Sequence, residues 1–555
     1  MKILLLMDSP EYLRFFDSAI DELARRGHTV TLAVNGDSGK KPIGVEGLHV
    51  YGGSITVLGV VPRPAGRWHG MARGLRGTMD FVRFLHPRFA AATALRARIK
   101  RKVLPRAYAW LDRVPRLSPG VVRAVVGALA ALEQSIPVCR PIVALLRAEA
   151  PDVLVLSPLV AAASDQVDWV KAARAAGIRT AVCIASWDNL TNKGLIRVEP
   201  DLVLVWNEAQ KREAHEYHYI PDDRIAVTGA QLFDRWFDRR VTRDRAAFCA
   251  RVGLPDDGPF VLFTGSSSFI SESGAEVAFV RRWVEALRAS GDATLAGINV
   301  LMRPHPYNCH RWESDPLADQ RGVAVFPRTG YNPVDADNRA DFFDSLFHAA
   351  AVVGINTSAM IEAAIVGRPV LSMLAPEFAG TQEGTIHFHH LLPEYGGFLR
   401  IASTLDEHVL QLADRLRHPE SSRAETARFV ASFIRPHGVE RPATPLFADA
   451  IERLAAGPAP APRPAPVWAP LLRPLTLTLA APVALVNTLG RSETRHRLRR
   501  RADGAWRRTR KHVARIRKNV ARTGGLVRRR LVRALQTSGK RWRRTVMRLR
   551  GAGAR

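Results

Sequence analysis

Continuous apolar runs alternate with amphipathic stretches along the first 456 residues. Residues 2–7 are almost entirely apolar, residues 13–26 place apolar side chains at helical spacing, and 29–34 is a second apolar run beyond Gly27. This order predicts a strand, a helix ended by the glycine, and a strand parallel to the first. Together they form a βαβ unit, so the sheet is predicted to be parallel.

The alternation continues in two halves of the chain. Further strands are predicted at 152–156, 179–184, 201–206 and 224–227, and then at 259–264, 298–302, 322–326, 351–354 and 369–373. Helices are predicted at 165–176, 207–216, 273–290, 340–349, 358–366 and 443–456. The pattern predicts an α/β fold of two Rossmann-like domains facing a cleft, 1–240 and 241–456.

Three segments depart from this alternation. Residues 63–149 are predicted to be a basic, mostly helical insert broken by prolines, and 457–470 is a Pro/Ala linker, a composition that favours extended, semi-rigid chain. Residues 471–490 are apolar but contain Arg473 and two prolines, which is more typical of an interfacial segment than of a membrane span. The basic tail is therefore taken as 471–555.

Charge is concentrated in two zones of the 555-residue chain, which carries a net charge of +29. Residues 491–555 hold 25 Lys and Arg against two acids, and residues 63–116 hold 14 against two. Both zones suit anionic surfaces such as phospholipid, lipid phosphate or nucleic acid. The alternative for the tail is that its many arginines reflect the base composition of the genome and have no function. With 47% hydrophobic residues, the composition excludes global disorder.

The four cysteines are widely spaced, which argues against a disulfide framework or a structural zinc site and fits a reducing compartment. The apolar run at the N-terminus stops at Asp8, too early for a signal peptide. We therefore expect a cytoplasmic protein.

Ligands of parallel α/β sheets bind at the carboxyl ends of the strands. One such loop, Asn356-Thr357-Ser358, precedes a predicted helix, where free N–H groups and two hydroxyls suit a diphosphate. Glu362 follows Ser358 by one turn on the same face, where its carboxylate can accept hydrogen bonds from ribose hydroxyls. The alternative is an ordinary helix cap followed by an acid.

Two more loops of the second half are candidates for phosphate binding. Arg303-Pro304-His305-Pro306 follows a buried strand; its prolines are expected to present the Arg fork and the His outward. Gly265-Ser266-Ser267 offers small residues, N–H groups and hydroxyls, but it lacks the Gly-Lys of a P-loop. A rigid turn and a flexible loop without ligand are the respective alternatives.

Transfer to a hydroxyl acceptor benefits from a carboxylate nearby. Asp8, Glu11 and Asp188 are the candidates in the first half, and His305 is a candidate in the second. Asp8 can instead cap the following helix, and Asp188 can hold its own Asn-rich turn.

A tract of three histidines also stands out. His387, His389 and His390 have no carboxylate or Cys pattern to complete a zinc site, so core, loop or substrate-contacting histidines are expected and no metal is assigned.

These motifs resemble GT-B fold glycosyltransferases, including the nucleotide-sugar 2-epimerases and the CDP-glycerol glycerophosphotransferases of bacterial capsule and teichoic-acid synthesis. The resemblance covers roughly 1–456. It is carried by Arg25-Arg26-Gly27-His28-Thr29-Val30, by 354–369, by the Arg-x-His-Pro turn at 303–306, and by Val227-Thr228-Gly229-Ala230 with Phe233-Asp234.

The resemblance implies that the second domain binds a nucleotide-sugar donor of UDP, GDP or CMP/CDP type and that the first binds the acceptor. Thr357 and Ser358 would contact phosphate, Glu362 the ribose, and His305 the diphosphate or leaving group. No tightly bound cofactor or metal is implied. The epimerases' catalytic acids and histidines have no counterpart that we can locate, and 354–356 lacks an acidic motif expected of the phosphotransferases.

The sequence therefore favours a glycosyltransferase of surface-polysaccharide assembly. A polyol-phosphate transferase with a CDP donor is one alternative, and a non-catalytic membrane or nucleic-acid binding protein is another. Residues 1–456 contain no sequence-reading DNA motif, so no specific nucleic acid is expected. Aromatic residues among the arginines of the insert, together with the tail, predict peripheral binding to the inner face of the cytoplasmic membrane and a lipid-linked or surface-glycan acceptor.

Overall fold

The computed structural model describes residues 1–35, 54–64, 67–271, 274–328, 335–458, 460–463 and 465–490. The chain forms a compact unit of residues 1–480 and a second unit of residues 481–555. Most of the second unit, including the basic run at 491–555, lies outside the described residues, so the membrane-binding role predicted for the tail stays a prediction.

The first sheet contains seven parallel strands in the order β3-β2-β1-β4-β5-β6-β7. Their bounds are β1 Lys2–Met7, β2 Thr29–Asn35, β3 Ile55–Val61, β4 Val153–Ser157, β5 Arg179–Cys183, β6 Leu202–Val205 and β7 Ile225–Val227. The central strands are buried on both faces, as their unbroken apolar sequences require.

The second sheet contains six parallel strands in the order β10-β9-β8-β11-β12-β13. Their bounds are β8 Phe260–Thr264, β9 Asn299–Arg303, β10 Val323–Val325, β11 Ala351–Gly354, β12 Val370–Met373 and β13 Arg400–Ala402. The predicted α/β architecture with two parallel sheets is thereby confirmed.

Helices connect the strands and cover both sheets. In the first part of the chain they are α1 Asp17–Arg25, α2 Arg67–Val82, α3 Thr93–Val103, α4 Pro119–Ser135, α5 Arg140–Glu149, α6 Gln166–Ala176, α7 Asn189–Asn192, α8 Glu208–His218 and α9 Asp234–Asp238. In the second they are α10 Arg245–Val252, α11 Ala275–Arg288, α12 Ala293–Ala296, α13 Ala336–His348, α14 Ala359–Ile365, α15 Leu405–Arg417, α16 Glu420–Phe429, α17 Ala443–Ala456 and α18 Arg473–Gly490.

The helical insert is fixed to the first sheet by a buried charge network. Arg76 of α2 is fully buried, and its guanidinium pairs with Glu133 of α4 at 2.7 Å and with Asp168 of α6 at 2.8 Å. Lys171 of α6 completes the network by donating to the Glu133 carboxylate at 3.3 Å. Buried charges persist only when they are paired in this way, so the basic insert has a defined position beside the sheet.

Asp234 holds in place the segment by which the chain returns from the second sheet to the first. Its Oδ1 accepts hydrogen bonds from Arg435 Nε and Nη2 at 3.1 and 2.9 Å and from the Ala443 N–H at 3.1 Å. Its Oδ2 accepts the Thr444 N–H at 2.6 Å. Asp234 thereby satisfies the first N–H groups of α17, which would otherwise lack partners.

The helix α17 packs on the first sheet, although the sequence placed it in the 241–456 domain. Phe447 and Ile451 of α17 lie in the same hydrophobic cluster as Ile3 and Phe16. The domain boundaries themselves stay a prediction, because residues 1–480 form one compact unit.

Among the described residues, no single helix has the length and apolar composition of a membrane span. Within the part of the chain that the structure describes, the one pair of helices that passes that test together is α4 and α5, across a 77° bend.

Replacing Asp234 by Ala is expected to lower the free energy of unfolding by about 3–5 kcal/mol, because Arg435 is then buried without its partner. Asp234→Asn, which keeps an oxygen acceptor, should lose less. The measurement is the denaturant midpoint of the full-length protein. The control is Asp223→Ala at an exposed position, and an effect of Asp234→Ala no larger than the control would contradict the assignment.

Candidate functional site

Three adjoining pockets open where the carboxyl ends of the two sheets meet. Their volumes are about 130, 190 and 180 Å³, and Ser358 forms part of the wall of all three. We name them the Glu362 pocket, the Asp188 pocket and the Trp236 pocket, in that order. Together they form one cleft with walls from both domains.

Glu362 lies between the Glu362 pocket and the Trp236 pocket. Burial raises the pKa of its carboxyl to about 8, against the lowering effect of Arg14, Arg239 and Arg303. No described residue donates a hydrogen bond to it. A neutral carboxyl without a partner in a pocket wall is suited to contact ligand hydroxyls.

The hydroxyls of Thr357 and Ser358 lie next to Glu362. Ser358 is exposed and makes no side-chain capping bond at the start of α14. Thr357 Oγ1 accepts the Ala359 N–H at 3.5 Å, which is a weak cap. Ser358 therefore does not act as a helix cap, and both residues line the cleft as the sequence analysis expected.

Arg303 departs from the outward-facing fork that the sequence predicted. Its guanidinium is buried, donates to Ser345 Oγ at 3.1 Å and lies over the Phe342 ring at 5.1 Å. Burial lowers the pKa of Arg303 to about 10. Arg303 is the last residue of β9. It packs against α13 and forms part of the wall of the Glu362 pocket.

His305 lines both the Glu362 pocket and the Asp188 pocket. Its Nδ1 accepts the Tyr307 N–H at 3.2 Å. Burial, with Arg14 nearby, lowers the pKa of His305 to about 4, so the ring is neutral at pH 7. A neutral ring with Nδ1 as acceptor carries its proton on Nε2, which makes that nitrogen a hydrogen-bond donor.

The loop after β8 is held close to the His305 turn. Gly265 N–H donates to Arg303 O at 2.8 Å, and a Cβ at Gly265 would lie 2.7 Å from His305 N. Only glycine allows this approach. Ser267, two residues further, lines the Asp188 pocket.

Glu276, which the sequence analysis did not single out, holds this loop. The buried Ser266 N–H donates to Glu276 Oε1 at 2.7 Å. Burial raises the pKa of Glu276 to about 7, and the hydrogen bond from Ser266 opposes that rise. A signal was present in the sequence: Glu276 shares one helical face with Val280, Trp283 and Leu287, all buried. A lone acid on an apolar face needs a partner.

Asp188 is the only one of the three proposed carboxylates in the walls of these pockets. Asn189 and Asn192 donate to it at 3.1 and 3.4 Å, so it also holds its own turn. Burial would raise its pKa, but Lys193 and other neighbours lower it to about 2. Asp188 is therefore ionised at neutral pH.

His387 faces Asp188 across the same pocket. Asn356 Nδ2 donates to Thr381 O at 2.7 Å, which fixes the amide, and the same nitrogen lies 3.4 Å from His387 Nε2. Nε2 is therefore the acceptor, and the proton of the neutral ring lies on Nδ1. That Nδ1 is buried and accepts or donates no hydrogen bond among the described residues.

Glu11 and Asp8 are placed differently. Glu11 Oε2 accepts the hydroxyl of Tyr307 at 2.7 Å, so it links the two domains at the cleft edge. Asp8 lies outside the walls of the three pockets, and burial raises its pKa. Neither is in a position to take a proton from a hydroxyl bound in these pockets.

The remaining histidines of the tract have separate partners. His389 Nε2 contacts Glu383 O at 3.1 Å, and His390 Nε2 contacts Glu213 Oε1 at 2.7 Å. Among the described residues, no group of three or more His, Cys, Asp or Glu is arranged to hold a metal ion.

The Trp236 pocket adds cations that the sequence analysis missed. Arg14, Arg235, Arg239 and Arg339 line it. Asp17 accepts from Arg235 at 3.1 Å and from Arg339 at 3.3 Å, so two of the four are paired with it. Arg14 lies on the short 3-10 helix Pro10–Phe15, Arg235 on α9, Arg239 directly after α9 and Arg339 on α13. No local motif in the sequence marked them as neighbours in space.

No family model matches the chain, and no curated protein matches it. Solved structures do match, at low identity. UDP-GlcNAc 2-epimerase from Neisseria meningitidis bound to UDP-GlcNAc is 11% identical, with 82% of this chain and 100% of that chain covered and a TM-score of 0.46.

A glycosyltransferase from Rickettsia africae is 11% identical, with coverage of 82% and 99% and a TM-score of 0.45. WaaG, a glycosyltransferase involved in lipopolysaccharide biosynthesis, is 13% identical, with coverage of 82% and 100% and a TM-score of 0.40.

Replacing Glu276 by Ala should loosen the Gly265–Ser267 loop, because the Ser266 N–H loses its acceptor. We expect hydrogen exchange of this loop to rise about tenfold. Glu276→Gln keeps an oxygen acceptor and should exchange like the wild type. Equal exchange in Glu276→Ala and Glu276→Gln would contradict this role.

Glu362 should make stability depend on pH. Its folded pKa is about 8 and thus above the unfolded value, so the folded state binds the extra proton and stability falls as pH rises from about 4.5 to 8. Glu362→Gln removes this loss, so its melting temperature should exceed that of the wild type by about 1–2 °C at pH 8 and match it near pH 4.5. A constant difference across this range would show that Glu362 does not titrate as described.

Proposed function

We propose that this protein is a glycosyltransferase that moves a sugar from a nucleotide-sugar donor to a lipid-linked or surface-glycan acceptor. The observation that carries the proposal is the meeting of three pockets at Ser358. Their walls come from both domains, so two substrates can meet there. The proposal includes assembly of a bacterial surface polysaccharide at the cytoplasmic face of the membrane.

The nucleoside of the donor is assigned to the Glu362 pocket. Phe342 and Pro327 supply apolar wall for a base, and Glu362 supplies the polar group for ribose hydroxyls. The adjoining Ser358 hydroxyl is exposed to the cleft, which suits the phosphate that follows the ribose. Apolar walls with a few polar groups are the usual composition of such sites.

The diphosphate is assigned to the neighbouring wall of the Asp188 pocket. The neutral ring of His305 offers an N–H donor there, and Ser267 and Thr357 add hydroxyls. Arg98 supplies positive charge from the insert. Donors aimed at the leaving diphosphate stabilise the charge that develops on it as the bond to the sugar breaks.

Asp188 is assigned to the hydroxyl of the acceptor. Its ionised carboxylate can accept the hydroxyl proton as the acceptor oxygen bonds to the anomeric carbon and the nucleotide departs. With its pKa near 2 it is a weak base, so proton transfer is expected late in the reaction, when the hydroxyl has become acidic. The protein residues alone carry this scheme, and independence from metal ions is part of the proposal.

The first test is binding of UDP, GDP, CDP and CMP to the full-length protein, followed by release of nucleotide from the matching sugar donor. Glu362→Ala and Ser358→Ala should each weaken nucleotide binding by about tenfold, the effect of one or two lost hydrogen bonds. Ser268→Ala is the matched control, since Ser268 is exposed in the loop after β8 and outside the pocket walls.

Release of a nucleoside diphosphate from a sugar donor, lost in the two site variants, supports the proposal. Release of CMP from CDP-glycerol would replace it by a polyol-phosphate transferase. If none of the four nucleotides binds, the donor site is wrong and a non-catalytic protein is the better hypothesis.

Asp188→Asn should lower turnover by at least about a hundredfold while nucleotide affinity stays within about threefold. The asparagine keeps the size of the side chain and one oxygen for the turn. Turnover is measured at saturating donor, and melting temperature checks the fold. A parallel loss of nucleotide affinity would assign Asp188 to the donor instead of the acceptor.

A further inference from the structure

Several described residues of the linker 457–470 contact the first domain. Arg463 N–H donates to Arg174 O at 2.8 Å, and Arg179 donates to Gly457 O. Gly177 leaves room for the chain, because a Cβ there would lie 2.9 Å from Pro460 O. The described part of the linker, whose Pro/Ala composition favours extended, semi-rigid chain, therefore has a defined path on the first domain.

The chain that follows docks on the helical insert. Ala469 is fully buried, Thr476 Oγ1 lies 2.7 Å from Ser135 Oγ of α4, and Arg473 Nε donates to Ser135 O at 3.1 Å. Tyr108 of the insert donates to Leu479 O. The inward face of this segment is therefore held largely by polar contacts.

The outward face is apolar. Leu471, Leu475 and Leu479, spaced by four residues, are all exposed, and Val467 and Trp468 are exposed just before them. We call these five residues the apolar ridge. Leu471 is 78% exposed and Val467 94%. A helix on a water-facing surface normally has the opposite polarity, and a continuous exposed apolar stripe marks an interaction site.

A basic cavity of about 440 Å³ adjoins the ridge, with Pro466 in its wall. Lys171, Arg174, Arg224 and Arg463 line it against a single carboxylate, Glu199. Arg224 pairs with Glu199 at 2.8 Å, and Lys171 is paired within the insert. No described residue forms an ion pair with Arg174 or Arg463. Burial lowers the pKa of Arg174, against the raising effect of Asp201 and Glu199, and Arg224 and Arg463 add to the lowering. The Arg174 guanidinium donates to Glu199 O.

The partner of this surface must bring negative charge next to apolar surface. The chain's own tail is a poor fit, since 491–555 has 25 Lys and Arg against two acids and would be repelled by the cavity. An anionic phospholipid offers a phosphate headgroup beside acyl chains. The segment that carries the ridge packs on the insert, and the basic residues of the insert also attract anionic lipid.

We propose that the apolar ridge and the basic cavity together form a docking surface for an anionic phospholipid bilayer. The ridge side chains enter the boundary between headgroups and acyl chains, and the cavity receives a lipid phosphate between Arg174 and Arg463. The proposal is independent of the proposed function, because it requires neither donor binding nor turnover. Its consequence is that the first domain is held at the membrane in one orientation.

The test is sedimentation of the full-length protein with vesicles of phosphatidylcholine alone or mixed with phosphatidylglycerol. The ridge variant Leu471→Ser with Leu475→Ser, and the cavity variant Arg463→Glu, should each bind the anionic vesicles roughly tenfold more weakly than the wild type. The matched controls are Leu410→Ser and Arg441→Glu, at exposed positions of the second half, and both should bind like the wild type.

Wild-type binding by both test variants would overturn the proposal, because the tail or another surface would then account for membrane attachment. Equal binding to neutral vesicles would also overturn it. A third measurement tests stabilisation by inorganic phosphate. Phosphate could raise the melting temperature of the wild type but not of Arg463→Glu, while the protein binds no vesicles. In that case the cavity holds a soluble anion and the proposal is wrong. Melting temperatures of all variants verify that they fold.

Discussion

The buried carboxylate of Asp234 is the interaction on which the two-domain arrangement depends. Removing a charge from water is unfavourable by several kcal/mol unless donors replace the water. Arg435 and the first N–H groups of α17 supply those donors. Gly229 makes the approach possible, since a Cβ there would lie 2.7 Å from Ala443 Cβ. The chain can therefore return from the second sheet and place α17 on the first.

The residues around Asp234 also form one wall of the cleft. Asp234 begins α9, whose Arg235 and Trp236 line the Trp236 pocket, and Arg235 pairs with Asp17 of α1. Across the cleft, Tyr307 donates to Glu11. The Thr228-Gly229 segment before Asp234 thus has a structural role: it fixes how α1, α9 and α17 meet, and the pocket geometry follows from that meeting.

Sequence pattern was sufficient for the architecture but only for part of the site. Long buried strands such as β8 and β9 are visible as apolar runs because both of their faces are covered. The edge strands β3 and β13 were missed, since most residues of β3 are exposed or only half-buried and β13 has three residues. Glu362, Ser358 and His305 were found because each follows a central strand. Arg14 and His387 reach the cleft through tertiary packing, and no spacing along the chain records that. Glu276 holds the loop after β8 from behind the pocket walls, and its place on an apolar helical face was the one sign of it in the sequence.

The balance of charge in the cleft favours an anionic ligand over a neutral one of the same shape. Burial keeps Glu362 and His305 neutral near pH 7, so neither offsets the guanidinium groups of Arg14, Arg239 and Arg303 around them. Burial and Arg339 lower the pKa of Arg239, which means that its charge is held there at a cost in free energy. An anion bound in the Trp236 pocket, which Arg239 lines, would relieve that cost. The arginines that raise the electrostatic energy of the cleft are therefore the ones that would make it select an anionic ligand.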